Sequence, residues 1–224
     1  IAAGDALDRE EGWGRGESLW LLLSGKFFAP SVAIASGRGF LVGLICGGVM
    51  SGGMAVLRMT VPVRVSLQPL GFFFYAINSA VPSLSTLFFF LKIAFIEELG
   101  YRFFGGTWLL SKTSHKWLAV LAPAVLYGLL HTSMRFLPPE EPFWGRAAVL
   151  ALVGCVWGWA FFKYDALTVV LSHFTADLFI FNWPRLASGR PDLVTAAVLT
   201  IMVPLIPAFL GGGVWLFRRA KHNR

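Results

Sequence analysis

The sequence predicts an all-α protein, a polytopic transmembrane helix bundle of about eight spans. Of its 224 residues, 56% are hydrophobic and only 14% are charged. The mean hydropathy of +0.68 is far above that of a soluble domain. Apolar runs recur along the chain, and most approach the roughly 20 residues that a helix needs to cross a hydrocarbon core of about 30 Å. We therefore expect a membrane protein with several crossings.

The apolar runs divide the chain into eight predicted spans joined by short polar segments. Proline ends most of them, because it removes a backbone hydrogen-bond donor. The spans are 19–35, 39–58, 67–81, 83–104, 115–135, 143–162, 166–183 and 193–217. Pro123 falls inside the span 115–135, where it predicts a kink.

Three regions follow from this division: a polar N-terminal tail over 1–18, a transmembrane domain over 19–217 and a basic C-terminal tail over 218–224. Lysine and arginine concentrate in alternate connections and at the C-terminus, which predicts a cytoplasmic C-terminus in the cell membrane. We therefore interpret the net charge of +7 as a signal of membrane orientation. No basic face interleaved with aromatic residues is present, so nucleic-acid binding is not expected.

Small residues at four-residue spacing predict close helix contacts in lipid. Three glycine pairs have this spacing: Gly43 with Gly47, Gly48 with Gly52, and Gly154 with Gly158. Trp157 and Trp159 lie inside a span, away from the interfaces where tryptophan usually concentrates. The only cysteines, Cys46 and Cys155, lie in apolar runs without a CxxC spacing, which predicts neither a disulfide framework nor a thiolate metal site.

Ionisable residues in the 83–104 span are the first indication of function. A charged side chain at the centre of a transmembrane helix costs roughly 2.5 to 3.5 kcal/mol, so such residues are usually functional. Glu98 and Arg102 lie on one helix face at the i,i+4 spacing of an ion pair, which predicts a structural role for Glu98. Glu97 has no basic residue at i+4, and a desolvated carboxylate without a cation suits general base catalysis.

Two further spans carry polar pairs at the same i,i+4 spacing. Tyr127 and His131 lie on one face of the 115–135 span, and His173 and Asp177 on one face of the 166–183 span. An acid so placed can orient or charge an imidazole. Each pair alone is compatible with helix packing, but three polar clusters in an apolar chain favour a shared site within the membrane.

Water activation is the chemistry that these side chains predict. A glutamate and a histidine can remove a proton from water, and a second histidine with a polar neighbour can stabilise an oxyanion. The same residues could instead hold zinc with an open water position, so the sequence leaves zinc open although we expect no metal. Neither HExxH nor GxSxG occurs in the chain.

Three motifs in this order resemble the signature of the CPBP intramembrane proteases, a family that includes the CAAX prenyl endopeptidases and bacterial relatives linked to bacteriocin processing or immunity. The motifs are Glu97-Glu98-x-x-x-Arg102, the aromatic-x-x-x-His of Tyr127 to His131, and the His-x-x-x-Asp of His173 to Asp177. The matching part is the catalytic core, about 83–183. The resemblance implies a helical bundle with a catalytic cavity inside the bilayer, where a peptide bond is hydrolysed without a required metal.

By motif, the resemblance implies that Glu97 and His131 activate water and that His173 with residue 177 forms an oxyanion hole. Glu98 and Arg102 would support the site. The family often has asparagine at the last motif position, but Asp177 cannot donate a hydrogen bond when ionised. Asp177 must then be protonated or act through His173. Tyr127 stands where phenylalanine is common, which adds a hydroxyl.

The predicted boundaries conflict with a common depth for this site. With a rise of about 1.5 Å per residue, Glu97 lies about 10 Å and His131 about 20 Å from the cytoplasmic ends of their spans. The boundaries must therefore shift by several residues, or Pro123 must bend its helix.

The sequence thus predicts an intramembrane endopeptidase that acts on a membrane-associated or lipid-linked protein or peptide. Two other classes remain open: a proton-linked transporter, since acids and histidines in spans also form relays, and a catalytically silent membrane partner with an immunity or regulatory role. The predicted partners are the lipid bilayer and the peptide substrate. The sequence does not determine the oligomeric state.

Overall fold

The computed structural model describes residues 2–62, 64–65, 82–132 and 140–222, and nearly all of them are helical. Helices α1 to α5 are Ala2–Glu10, Glu17–Leu23, Pro30–Thr60, Pro82–Glu98 and Thr107–Thr113. Helices α6 to α10 are Lys116–Leu130, Phe143–Lys163, Ala166–Leu186, Pro191–Ile201 and Ile206–His222. A π-helical segment, Leu99–Gly106, joins α4 to α5, and a 3₁₀ turn, Val203–Leu205, joins α9 to α10. The predicted helical class is confirmed.

The described strands are two residues long and form one antiparallel pair. Strand β1 is Arg64–Val65 and strand β2 is Glu140–Glu141, with Arg64 opposite Glu141. The pair links the segment that follows α3 to the segment that precedes α7, and it leaves the helical architecture unchanged.

Four of the described helical stretches are long and apolar enough to cross a membrane. They are Pro30–Thr60, Trp144–Lys163, Ala166–Leu186 and Pro191–Val214, and a shorter apolar helix is Lys116–Leu130. By length and composition, these stretches are candidates for four of the eight crossings that the sequence predicts. The predicted span 67–81 lies outside the described residues.

The first two predicted spans, 19–35 and 39–58, are wrong in their boundaries. The chain between them is not a connection, because Pro30–Thr60 is one continuous helix of 31 residues. The break comes earlier, at Gly25, whose φ of +76° suits glycine. Inside this helix, the guanidinium carbon of Arg38 lies 4.8 Å from the ring centroid of Tyr164, an arrangement that accommodates the charge on the helix.

The predicted spans 83–104 and 115–135 also have different ends. The helix that begins at Pro82 continues through the π segment to Thr113, whereas α6 stops at Leu130 with Pro123 inside it. Glu97 and His131 consequently lie at similar distances along their helices from the connection between α5 and α6. The shift in boundaries removes the conflict in depth.

Two of the three predicted glycine pairs lie at close helix contacts. A Cβ on Gly43 would be 2.5 Å from the Ser172 carbonyl oxygen, and one on Gly47 would be 2.7 Å from the Phe179 ring, so α3 packs directly on α8. Gly154 and Gly158 similarly bring α7 against α6. A Cβ on either member of the third pair, Gly48 and Gly52, would meet no atom of another helix within 4 Å among the described residues, so the contact predicted there is absent from that part of the structure.

The N-terminal segment, predicted as a polar tail over 1–18, contains helix α1 and the start of α2. Gly4 lies against Phe103 of the π segment, with 3.0 Å between a Cβ placed on Gly4 and the Phe103 carbonyl oxygen. Asp8 is buried and accepts a hydrogen bond of 3.0 Å from the Gly16 backbone. These residues pack on the helical domain. At the other end, α10 continues to His222, into the predicted tail over 218–224.

Candidate active site

The two adjacent glutamates lie where α4 passes into the π segment. Glu98 is 2% exposed, and its Oε1 accepts a hydrogen bond of 2.8 Å from Arg102 Nη1, which is also 2% exposed. The predicted ion pair is therefore present. Both side chains are shielded from water. A charge-assisted bond is far stronger in such a buried environment than at a surface.

Glu98 also contacts a histidine that the sequence analysis did not assign to it. His173 Nδ1 lies 2.7 Å from the same Glu98 Oε1 that Arg102 contacts. Because an ionised carboxylate only accepts hydrogen bonds, Nδ1 carries a proton and donates it. The assignment of Glu98 to Arg102 alone was incomplete, since Glu98 joins Arg102 to His173 and thereby fixes one edge of the imidazole.

Glu97 projects to the opposite edge of the same imidazole. Its Oε2 lies 3.8 Å from His173 Nε2 and 3.7 Å from His131 Nε2. Both distances exceed hydrogen-bonding range, and this Oε2 is buried without a hydrogen-bond partner among the described residues. The side chain as a whole is 16% exposed. Glu97 thus meets His131 and His173, as the sequence analysis expected, across a gap.

His131 follows the last residue of α6 and has its ring orientation set by that helix. Its Nδ1 lies 2.7 Å from the backbone carbonyl oxygen of Tyr127. A carbonyl only accepts, so Nδ1 carries the proton and Nε2 of the neutral ring keeps a free lone pair. The Tyr127 ring lies against the imidazole at 4.1 Å between centroids. Tyr127 therefore supports His131 with both its backbone and its ring.

Asp177 completes the group of predicted site residues on α8. Its Oδ2 lies 3.6 Å from His173 Nε2, and its side chain is 17% exposed. Glu97 and Asp177 are thus placed at the same edge of His173, next to the unfilled gap. All seven residues predicted for the site lie together in the structure: Glu97, Glu98, Arg102, Tyr127, His131, His173 and Asp177.

Two further residues contact the site, and only weak signals in the sequence indicated them. The Trp157 indole lies 4.2 Å from the His173 ring between centroids, at an interplanar angle of 20°. The Gly154 carbonyl oxygen accepts a long bond of 3.5 Å from Arg102 Nη2. A Cβ on Gly154 would come within 3.1 Å of that nitrogen. The position of Trp157 inside a span and the glycine pair of Gly154 were the available signals.

Several buried polar atoms in the site have no hydrogen-bond partner in the described part of the chain. They are Oε2 of Glu97, Oε2 of Glu98 and Nε of Arg102. Such atoms are rare in native proteins and usually indicate a place for water or a ligand. Among the same described residues, no group of three or more His, Cys, Asp or Glu side chains is arranged to hold a metal ion.

A comparison with protein families identifies the class of this site. Residues 79–179 match the family described as "Type II CAAX prenyl endopeptidase Rce1-like", and this segment contains all three motifs. The match confirms, over residues 79–179, the resemblance that the motifs indicated. The four apolar helical stretches and the matched membrane protease family support a membrane protein. No curated protein and no solved structure gives a significant match to the chain.

Proposed function

We propose that this protein is an intramembrane, glutamate-dependent endopeptidase in which Glu97 and His131 activate the attacking water. One observation carries the proposal. Glu97 Oε2 is buried, has no partner among the described residues, and lies between the Nε2 atoms of His131 and His173 at 3.7 and 3.8 Å. The gap has the chemistry to hold a water molecule.

The hydrogen-bonding roles of the two groups explain why the gap suits water. Glu97 Oε2 and the lone pair of His131 Nε2 are both acceptors, so neither can satisfy the other. A water molecule donates two hydrogen bonds, each about 2.8 Å long between oxygen and acceptor, and can therefore reach two acceptors that lie 3.7 Å apart. A water molecule held this way donates hydrogen bonds to two bases, which increases the nucleophilicity of its oxygen.

The proposed reaction is the hydrolysis of one peptide bond. The water oxygen forms a bond to the scissile carbonyl carbon while Glu97 or His131 takes the water proton. The carbonyl oxygen becomes an oxyanion, and His173 Nε2–H donates a hydrogen bond to it. The intermediate then collapses, the carbon–nitrogen bond breaks, and the proton passes to the leaving amine.

The proposed role of His173 requires both of its ring nitrogens to carry protons. Nδ1 already donates to Glu98 Oε1 at 2.7 Å, so Nε2 can donate only from the imidazolium form. Glu98 and Asp177 lie close enough to stabilise that charge. We assign Asp177, at 3.6 Å from Nε2, to this indirect role. Glu98, Arg102 and Tyr127 support the site.

The substrate is proposed to be a membrane-associated or lipid-linked protein or peptide. The site lies within apolar helices. The description of the matched family contains the words CAAX prenyl endopeptidase, and this term refers to lipid-modified chain ends. We propose a multi-pass protein of the cell membrane with a cytoplasmic C-terminus.

Cleavage by purified protein tests the proposal. The protein in lipid nanodiscs is incubated with membrane-anchored peptides, with and without a prenyl group, and products are identified by mass spectrometry. We expect cleavage by the wild type. We expect losses of about 10²- to 10⁴-fold, the usual contribution of a general base, in Glu97→Ala and His131→Ala.

A variant outside the site provides the control. Trp159 is 47% exposed on the outer face of α7, so Trp159→Phe should cleave at the wild-type rate. Cleavage that persists in Glu97→Ala and His131→Ala would contradict the assigned roles. Proton flux through proteoliposomes that depends on Glu97, without any cleavage, would instead support the transporter class.

A further inference from the structure

The stacking of Trp157 on His173 is the closest ring contact of the site that the proposed chemistry does not explain. The two ring centroids are 4.2 Å apart and the planes are 20° from parallel. Trp157 has an exposed fraction of 0%, although it lies on a helix that is apolar enough to span a membrane. The indole therefore faces the site and not lipid.

A hydrogen bond holds the indole in this plane. Trp157 Nε1 donates to Ser172 Oγ at 2.8 Å, and both groups are buried. Ser172 directly precedes His173 on α8. The bond therefore fixes the indole relative to the same stretch of backbone that carries the imidazole.

The contact supplies a constraint that Glu98 does not. A hydrogen bond at Nδ1 fixes one atom of the imidazole, but a ring held at one atom can still tilt about that contact. A flat surface against one face opposes the tilt and thereby keeps Nε2 at the edge where Glu97 and Asp177 lie. An indole face also favours a cation such as the imidazolium.

We propose that Trp157, anchored by Ser172, is a positioning residue that holds the His173 imidazole in its reactive orientation. The inference depends on the proposed function, because it concerns the geometry of the proposed oxyanion donor. Trp157 touches His173 and Arg102, whose guanidinium carbon lies 5.3 Å from its ring centroid. Its effect on the reaction is through His173.

Substitutions at Trp157 separate positioning from packing when kcat and KM are measured individually. In Trp157→Leu the stacked face is lost, and we expect kcat to fall about 10- to 100-fold with KM within about twofold, as for a misplaced catalytic group. Trp157→Phe keeps a smaller face without the Nε1 donor, and Ser172→Ala removes the anchor. For both we expect kcat to fall about 3- to 10-fold.

Trp159→Leu is the matched control, since it makes the same change two residues further along the helix on a side chain that is 47% exposed. We expect wild-type kcat from it. Folded protein is compared by thermal unfolding in the same lipid. If Trp157→Leu does not fold, Trp157→Phe and Ser172→Ala decide the question, and wild-type kcat in both overturns the inference.

Two further results would overturn it: wild-type kcat in folded Trp157→Leu, or an equal loss of kcat in Trp159→Leu. A failure of the proposed function is a different result, because wild-type protein would then cleave no peptide. Losses in kcat confined to Trp157 and Ser172 variants of an active enzyme support the inference.

Discussion

The two edges of the His173 imidazole differ in how completely their polar groups are bonded. At the Nδ1 edge, Glu98 Oε1 receives bonds of 2.7 Å from His173 and 2.8 Å from Arg102, and all three side chains are 2% exposed. At the Nε2 edge, Glu97 and Asp177 lie 3.8 and 3.6 Å away and are 16 and 17% exposed. The same ring thus has one bonded edge and one open edge.

The difference between the two edges distinguishes the supporting role that we propose for Glu98 from the catalytic role that we propose for Glu97. A carboxylate that already accepts two charge-assisted bonds is stabilised in its charged form and is a poor base. A carboxylate next to a gap keeps its lone pairs for water or substrate, at the cost of leaving a buried polar atom unpaired. The different roles that we propose for the adjacent glutamates follow from the helix, which directs them to opposite edges of one histidine.

Replacement of Glu97 by glutamine gives the sharpest test of the open edge. The amide keeps the shape but cannot accept a proton, so we expect Glu97→Gln to lower kcat by about 10²- to 10⁴-fold. The unfolding midpoint should stay equal or rise, because an unpaired buried carboxylate is removed. Peptide cleavage and thermal unfolding in nanodiscs measure the two effects. A large loss of stability would show that Glu97 belongs to the supporting edge.

Breaking the bonded edge should instead affect the fold. In Arg102→Met, Glu98 loses its cation in a buried site, and we expect a cost of about 3 to 5 kcal/mol in the free energy of unfolding.

Asp5 and Arg9 provide a matched control, because they have the same i,i+4 spacing and a 2.8 Å contact, but Arg9 is 72% exposed. Arg9→Met should cost less than about 1 kcal/mol. Chemical denaturation measures both variants, and equal costs would contradict the role of burial.

The sequence predicted the parts of the site that depend on local spacing. The contact between Glu98 and Arg102 follows from the helical repeat, and so does the common face of His173 and Asp177. The order of motifs then indicated that the three helices meet, which spacing alone does not establish. The two predictions from spacing succeeded because one turn of helix determines them.

The parts that were missed depend on tertiary packing. The contact between Glu98 and His173 joins residues 75 positions apart, and no local pattern contains it. The boundaries of the first two spans failed because hydropathy does not show that Arg38, inside the continuous helix Pro30–Thr60, packs against the Tyr164 ring. The π segment after Glu98 was not foreseen either, since its hydrogen-bonding pattern is not encoded by hydropathy.

The glycine pairs test how helix packing supports the site. A methyl group on Gly43 would lie 2.5 Å from the Ser172 carbonyl oxygen, so Gly43→Ala should push α3 away from α8 at a cost of about 1 to 3 kcal/mol. Gly48→Ala should be neutral or stabilising by up to about 1 kcal/mol, because alanine favours helices. Denaturation midpoints measure both. Equal effects would show that the close approach of α3 to α8 does not limit stability.

The smallest expected effect concerns Asp177, and it decides how this side chain acts on the open edge. Asparagine keeps the size of the side chain and adds an N–H donor, and it is also common at this position in the resembled family. If Asp177 only orients and charges His173, Asp177→Asn should remove the charge but gain a direct oxyanion donor, so we expect kcat within about tenfold of the wild type. Asp177→Ala lacks both contributions and should be slower than Asp177→Asn. Single-turnover rates of peptide cleavage measure the order of the three proteins. A loss in Asp177→Asn as large as that in Glu97→Gln would mean that the carboxylate itself takes part in proton transfer, and the open edge would then contain two bases.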